Sequence, residues 1–551
     1  MRRIVVHHPN RRQFIATSGM AVPAFLVPQR ALGDDRITVE IDSGKLRGSR
    51  DKHAIAFKGI PYAAPTGGAN RFKAPQPVEA WSGVREAVRF GDRCVQEHET
   101  FGDAPILAWY AQSEPFSENC CVLNVYTPAT DRGRRPVMVY IHGGGYVTGG
   151  GGGEILDGSA LAEFGDVVVV TLNHRLNVFG YLNLGHIDTE SFGDAANAGQ
   201  LDLIAALRWI QRNIAVFGGD PGNVTLFGQS GGGSKIMVLM GMPAAKGLFH
   251  RAINMSGTSG MNVAAAQATE AYVDTFLEHL GIDKSGLRRL QQVPTDKLIE
   301  ARLAAVRARR EGSRPVVDGR HVVGGPMTPQ ALPLHASVPL LIGTAKTEAT
   351  FYFADDVRHM RLSERQVRER LKAQFGIDDE KAAALMASFR RDDPQRTPSE
   401  VLVALITNTL FRLPMLQAAE VKANAGQAPV YLYNFVWKTP VAGGLWGSPH
   451  TVDIPFAFGT TDKASALLGT GPETLEVSKN LMSAFVAFAR SGNPNNPRMP
   501  AWKPFDAASR ATMTVDVQCR AVNDYLSGDR TAAAAVRLDP FNRAALMTYK
   551  D

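Results

Sequence analysis

Short apolar runs alternate with stretches of helical periodicity along most of the chain. The candidate strands are Pro136–Ile141, Val167–Leu172, Val224–Phe227, Ala252–Asn254, Leu340–Ile342 and Val430–Phe435. Several carry Val and Ile at consecutive positions, so both faces are apolar, as in parallel strands covered on both sides. Between them, Leu203, Ile204, Leu207, Ile210 and Ile214 recur at helical spacing, as do Leu481, Phe485 and Phe488 near the C-terminus. This alternation predicts the α/β class: one large, mostly parallel sheet with helices on both faces. Residues Ile37–Gly48 read as an antiparallel hairpin, and residues 264–310 and 361–420 as a helical cap over one end of the sheet. No Ser/Gly linker, repeat or long like-charge run interrupts residues 34–551, which are read as a single domain.

The chain has 551 residues, 44% of them apolar and 21% charged, which excludes a disordered tail or a disulfide-dense miniprotein. Its net charge of +7 is unevenly placed. Residues 1–33 hold Arg2, Arg3, Arg11, Arg12 and Arg30 and no acidic residue, leaving +2 for the remainder. No basic stripe is left for a nucleic acid. The paired Arg11-Arg12, the moderately apolar stretch Phe14–Val27 and the small residues around Ala31-Leu32-Gly33 resemble a bacterial twin-arginine export signal. The expectation is a signal peptide over residues 1–33, a mature start near Asp34 and a periplasmic or secreted protein. Phe14–Val27 is interrupted by Thr17, Ser18, Gly19 and Pro23, too short and broken to span a bilayer comfortably, so no stable membrane insertion is expected after cleavage.

The most informative stretch is Asn223–Gly233, in which a β-branched run enters Gly228-Gln229-Ser230-Gly231-Gly232 and a helical pattern follows. Alone, such a pentapeptide fits chance or a phosphate-binding turn. Between a strand and a helix it reads as a nucleophile elbow: the glycines permit a sharp reversal, and Ser230 is held at the strand end above a helix N-terminus. A serine nucleophile needs a base and a site for the developing oxyanion. Tyr140-Ile141-His142-Gly143-Gly144-Gly145-Tyr146 opens a strand into three glycines and precedes the elbow, the order an oxyanion loop requires. Gly149–Gly153 reads as a flexible glycine loop.

With these two motifs placed, the chain resembles the type-B carboxylesterases of the α/β-hydrolase superfamily, a family that includes the cholinesterases, over almost all of residues 36–520. The likeness rests on Phe57–Ala63, on the segment from Arg71-Phe72 through Trp81 to Cys94, and on Ser117-Glu118-Asn119-Cys120 with Leu123-Asn124-Val125. It continues through Asn173-His174-Arg175-Leu176 and Phe217-Gly218-Gly219-Asp220-Pro221 up to the elbow. Asn119 stands where the family usually has aspartate.

The resemblance implies the α/β-hydrolase fold and a serine carboxylesterase acting through an acyl-enzyme on small-molecule esters. It places the acid at Glu348, in Leu341–Glu348, and the base at His450, in Gly447–Phe456. The oxyanion donors become the amides of Gly144, Gly145 and Gly231, the last where the family usually has alanine. Cys94 and Cys120 match the family disulfide, permitted by export; Cys121 and Cys519 are read as buried thiols. Arg71 with Glu118 matches a structural ion pair. Gln229 replaces a glutamate that many members carry before the serine, so no preference for quaternary ammonium esters is expected. Trp109 and Tyr110 lie near a choline-binding tryptophan of cholinesterases, but packing beneath a loop is the reading favoured here. No metal or organic cofactor is implied. The rival readings are a carbamate or amide hydrolase or a lipase using the same triad, and a non-catalytic cholinesterase-like binding protein.

Overall fold

Alternate residues of the central strands enter two different cores. Val137, Val139, Ile141, Val168 and Val170 pack with Ile204, Leu207 and Ile210 on one side of the sheet. Met138, Tyr140 and Val169 pack with Leu481, Phe485 and Phe488 on the other. The strict alternation of Cβ direction along a strand produces this division. It explains why the consecutive apolar runs of the sequence are fully buried. The structure is a computed structural model that describes residues 36–51, 53–97, 105–258, 263–538 and 546. Residues Arg36–Asp551 pack as one unit. The arginine pair Arg11-Arg12 and the cleavage site near Asp34 lie outside the described residues.

The main strands are β1 (Arg36–Ile41), β2 (Gly44–Arg50), β3 (Ile55–Pro61), β4 (Val122–Thr127), β5 (Arg135–Ile141), β6 (Val168–Leu172), β7 (Gly219–Gln229), β8 (Arg251–Met255), β9 (Leu340–Ala345), β10 (Val430–Phe435), β11 (Thr512–Val515) and β12 (Arg520–Val522). Their order across the sheet is β1-β2-β3-β4-β6-β5-β7-β8-β9-β10-β11-β12, with a short strand Val84–Glu86 paired to β2. The run from β6 to β11 is parallel throughout, and the flanking pairs are antiparallel. The hairpin expected at the start is β1 with β2, and each candidate strand of the sequence falls within or overlaps an observed one. β7 is longer than its apolar run, because Gly219 pairs with Arg135 across an irregularity that spans Pro221 and Gly222.

Parallel strands deliver their following loops to one edge. The loops after Ile141, Gln229, Met255, Ala345 and Phe435 therefore converge at the carboxyl ends of β5, β7, β8, β9 and β10. Helical segments pack behind that edge. Leu371, Met386, Leu402 and Leu405 share a core with Ala349 and Phe353, which closely follow Glu348. Tyr272, Phe276, Leu298 and Ala301 pack with Leu176 and Phe179, which follow β6. Among the described residues one helical run, Pro398–Asn424, is long and apolar enough to cross a membrane, and 78% of its most apolar window is buried in the protein.

The expected disulfide is not formed. Cys94, Cys120 and Cys121 are buried free thiols, and Cys519 is a half-buried one. The Cys94 sulfur accepts from Leu176 N–H at 3.2 Å, and the Cys120 thiol is hydrogen-bonded to both Cys94 and Cys121. These thiol contacts and burial push the Cys121 thiol well above its ordinary range, so the group is kept protonated. The Arg71–Glu118 pair is present and two-pronged: Nε and Nη2 each donate to the carboxylate at 2.7 Å.

Candidate active site

β7 ends at Gln229, and the helix Gly231–Met240 begins one residue later. Ser230 alone makes the reversal, at φ 57° and ψ −124°, a conformation costly for a residue with a Cβ. The surrounding structure holds it there: Ser230 N–H donates to Met255 O at 2.7 Å, and Ser234 N–H donates to Ser230 O at 3.0 Å. The flanking glycines are required by close approach. A Cβ on Gly232 would lie 1.8 Å from Ile141 O, and one on Gly228 would lie 2.7 Å from the same atom. The elbow is thus wedged against the end of β5, where the loop His142–Gly145 begins.

Glu348 follows β9 and is fully buried. Its Oε1 accepts from Ser256 Oγ at 2.6 Å and from Ala345 N–H at 2.7 Å. Its Oε2 lies 2.5 Å from His450 Nδ1. An ionised carboxylate only accepts, so Nδ1 carries the proton and Nε2 keeps a lone pair, the tautomer of a general base. His450 sits between β10 and the helix Asp453–Phe458. Its ring is packed by Phe411, Phe351 and Tyr352 at centroid distances of 5.1, 5.6 and 5.8 Å. The amide nitrogen of Gln229 lies 3.3 Å from Nδ1 and 3.5 Å from Nε2. The residue preceding Ser230 therefore touches the imidazole, while among the described residues the Ser230 hydroxyl itself makes no hydrogen bond.

In the glycine loop the Gly143 and Gly144 carbonyls are taken up by hydrogen bonds, while Gly145 O lies against the elbow. Gly144 O accepts from Thr148 N–H at 3.1 Å and Val147 N–H at 3.2 Å. Gly143 O is 2.9 Å from His142 Nδ1. Gly144 and Gly145 both take left-handed φ, 81° and 63°. Among the described residues neither of their N–H groups has a partner. A Cβ on Gly231 would stand 2.3 Å from Gly145 O and 2.4 Å from Gly145 N, so the loop lies directly on the elbow. The three amides expected to form the oxyanion site therefore belong to two segments in contact. An apolar crevice is lined by His450 together with Ile106, Leu107, Phe351, Trp446 and Leu467. Trp109 is 8% exposed and packs edge-on against Tyr110 at 5.4 Å, as a packing aromatic does.

Two buried residues near this group were missed in the sequence: Ser256, which donates to Glu348, and Asp453, whose hydrogen bond is with Tyr433. Ser256 ends β8 as Ser230 ends β7, and that shared position at a strand's carboxyl end was the available signal. Asp453, three residues after His450, is fully buried; Tyr433 OH donates to its Oδ2 at 3.1 Å, while Oδ1 has no partner among the described residues. Burial and the nearby Glu348 carboxylate raise its pKa to about 7. Among the described residues no cluster of His, Cys, Asp and Glu could hold a metal ion.

Comparison with known proteins gives a consistent picture. A model of the carboxylesterase family matches residues 35–533. A para-nitrobenzyl esterase of Bacillus subtilis is 35% identical over 88% of this chain and 96% of its own length. A phenmedipham hydrolase of Pseudarthrobacter oxydans is 32% identical over 86% of this chain and 94% of its own. A solved carboxylesterase of Geobacillus stearothermophilus superposes with a TM-score of 0.77 at 34% identity, covering 90% of this chain and 99% of that one.

Proposed function

The chain belongs to the carboxylesterase family and is a carboxylic ester hydrolase, and from this premise we propose that Ser230, His450 and Glu348 form its catalytic triad and act through an acyl-enzyme. His450 Nε2 takes the Ser230 proton as Oγ attacks the ester carbonyl. The tetrahedral oxyanion rests on the amides of Gly144, Gly145 and Gly231. His450 then protonates the departing alcohol, and water repeats the sequence on the acyl group. The observation that carries this reading is the chain of contacts Ser256–Glu348–His450 beside a serine held in a strained turn. Gln229 in place of a carboxylate leaves the buried position beside His450 without an added negative charge. Small neutral esters are the proposed substrates, the class to which the para-nitrobenzyl esterase name of its relative also belongs.

The test is p-nitrophenyl butyrate hydrolysis by the parent beside Ser230→Ala. Loss of the nucleophile is expected to lower kcat by on the order of 10⁴ to 10⁶. An active Ser230→Ala protein would overturn the assignment, and an inert parent across short and long acyl chains would favour a binding role. We also propose that residues 1–33 direct export through the Arg11-Arg12 pair, on the sequence pattern given above.

A further inference from the structure

Lys235 lies one turn beyond the elbow on the helix Gly231–Met240 and is completely buried. Among the described residues no carboxylate pairs with it. Its Nζ instead donates to two backbone carbonyls, His142 O at 2.9 Å and Gly143 O at 3.5 Å. Both belong to the glycine loop. Burial pushes its pKa well below the ordinary lysine range, and an apolar side chain of the same length would fill this space at lower cost. The lysine therefore has a reason other than packing.

That reason is visible in peptide geometry. The C=O and N–H of a trans peptide point in opposite directions. Gly143 O is held from beneath by Lys235 Nζ and by His142 Nδ1, so Gly144 N–H is turned to the other side. His142 presents Nδ1–H to this carbonyl as a neutral imidazole. Burial first, and then the Lys235 charge, hold its pKa well below the ordinary range. It stacks on buried His174 at 4.9 Å, which fixes the ring.

We propose that Lys235 is a positioning residue for ester hydrolysis, anchoring the His142 and Gly143 carbonyls so that Gly144 N–H faces the oxyanion. The inference rests on the triad reading above, because it needs Gly144 to be an oxyanion donor. It extends that reading to a side chain that touches neither substrate nor triad. Gly144 N–H meets negative charge only as it develops, so the effect of holding it in place falls on the transition state more than on the ground state.

The experiment compares Lys235→Met, which keeps length without a donor, with Lys235→Gln, which keeps a shorter donor, and with Ser230→Ala. Readouts are kcat and KM for p-nitrophenyl butyrate, the affinity of a trifluoromethyl ketone, whose adduct with a serine mimics the tetrahedral oxyanion, and the melting temperature. The expected result for Lys235→Met is a loss of about tenfold to a hundredfold in kcat, with KM near the parent value. Trifluoromethyl ketone affinity falls by the same factor, and Lys235→Gln recovers part of both. Unchanged kcat and ketone affinity would overturn the inference. So would a loss that tracks only the folded fraction, or failure of both lysine variants to fold, since Lys235 would then be a folding residue. Activity retained in Ser230→Ala would instead overturn the triad reading, whatever the lysine variants do.

Discussion

Gly231 is the smallest departure from the family pattern and the most consequential one at the residue scale. With no side chain there, the backbone of Gly145 settles onto the elbow, 2.3 to 2.5 Å from the place a methyl group would take. Gly231→Ala therefore restores the residue the resemblance leads one to expect and forces the loop outward, carrying Gly145 N–H with it. The expected outcome is a fall in kcat of about tenfold to a hundredfold for p-nitrophenyl butyrate with the melting temperature little changed. An alanine variant as fast as the parent would show that the loop relaxes freely. Ser230 and the glycines around it were legible in the sequence because a strand–turn–helix reversal imposes local requirements on a pentapeptide. Glu348 and His450 were legible only through family resemblance, since 118 and 220 residues separate them from the serine. Lys235, Ser256 and Asp453 were not read at all. Their roles depend on what the fold brings near them.

The elements explain how such distant residues meet. Parallel strands set the loops after β5, β7, β8 and β9 at one edge, and the Val- and Ile-rich runs that announce those strands are the same residues that bury both faces of the sheet. The helix Asp453–Phe458 belongs to this arrangement, since it begins three residues after His450 and buries Asp453 near enough to Glu348 for their charges to interact. A carboxyl with a pKa of about 7 in the folded protein and about 3.8 as its ordinary value keeps its proton longer when folded. The folded state then binds more protons between those values, so this group's contribution to stability falls as pH rises from about 4 to about 7 and is flat above. Asp453→Asn removes the titration. Relative to the parent, the variant is expected to gain melting temperature at about pH 8 and little at about pH 5. A difference of equal size at both values would place the ionisation elsewhere. The helical segments that pack behind the edge were foreseen as regions but not in their contacts. An amphipathic stripe records that a face is buried and not what covers it.

At the scale of the whole molecule, the charge pattern separates the arginine-bearing residues 1–33 from a nearly neutral remainder. The proposed export follows from that asymmetry and from the Arg11-Arg12 pair. Replacing both with lysine keeps the charge and removes the paired guanidinium groups a twin-arginine receptor reads. The expected outcome in cell fractionation is accumulation inside the cytoplasm, with the parent recovered outside it. Equal export of both forms would contradict the twin-arginine reading. The disulfide was the sequence expectation that failed at this scale. Two cysteines matched a family pattern, but matching positions do not record whether two sulfurs are bonded, and Cys94 and Cys120 are buried free thiols.

The central claim is that Ser230 becomes acylated. It is tested most directly by quenching the enzyme in acid during p-nitrophenyl butyrate turnover and mapping the adduct by peptide mass spectrometry. The account predicts a butyryl group on Ser230, absent from Ser230→Ala. A butyryl group on another residue, or steady turnover with no covalent species at any quench time, would contradict it.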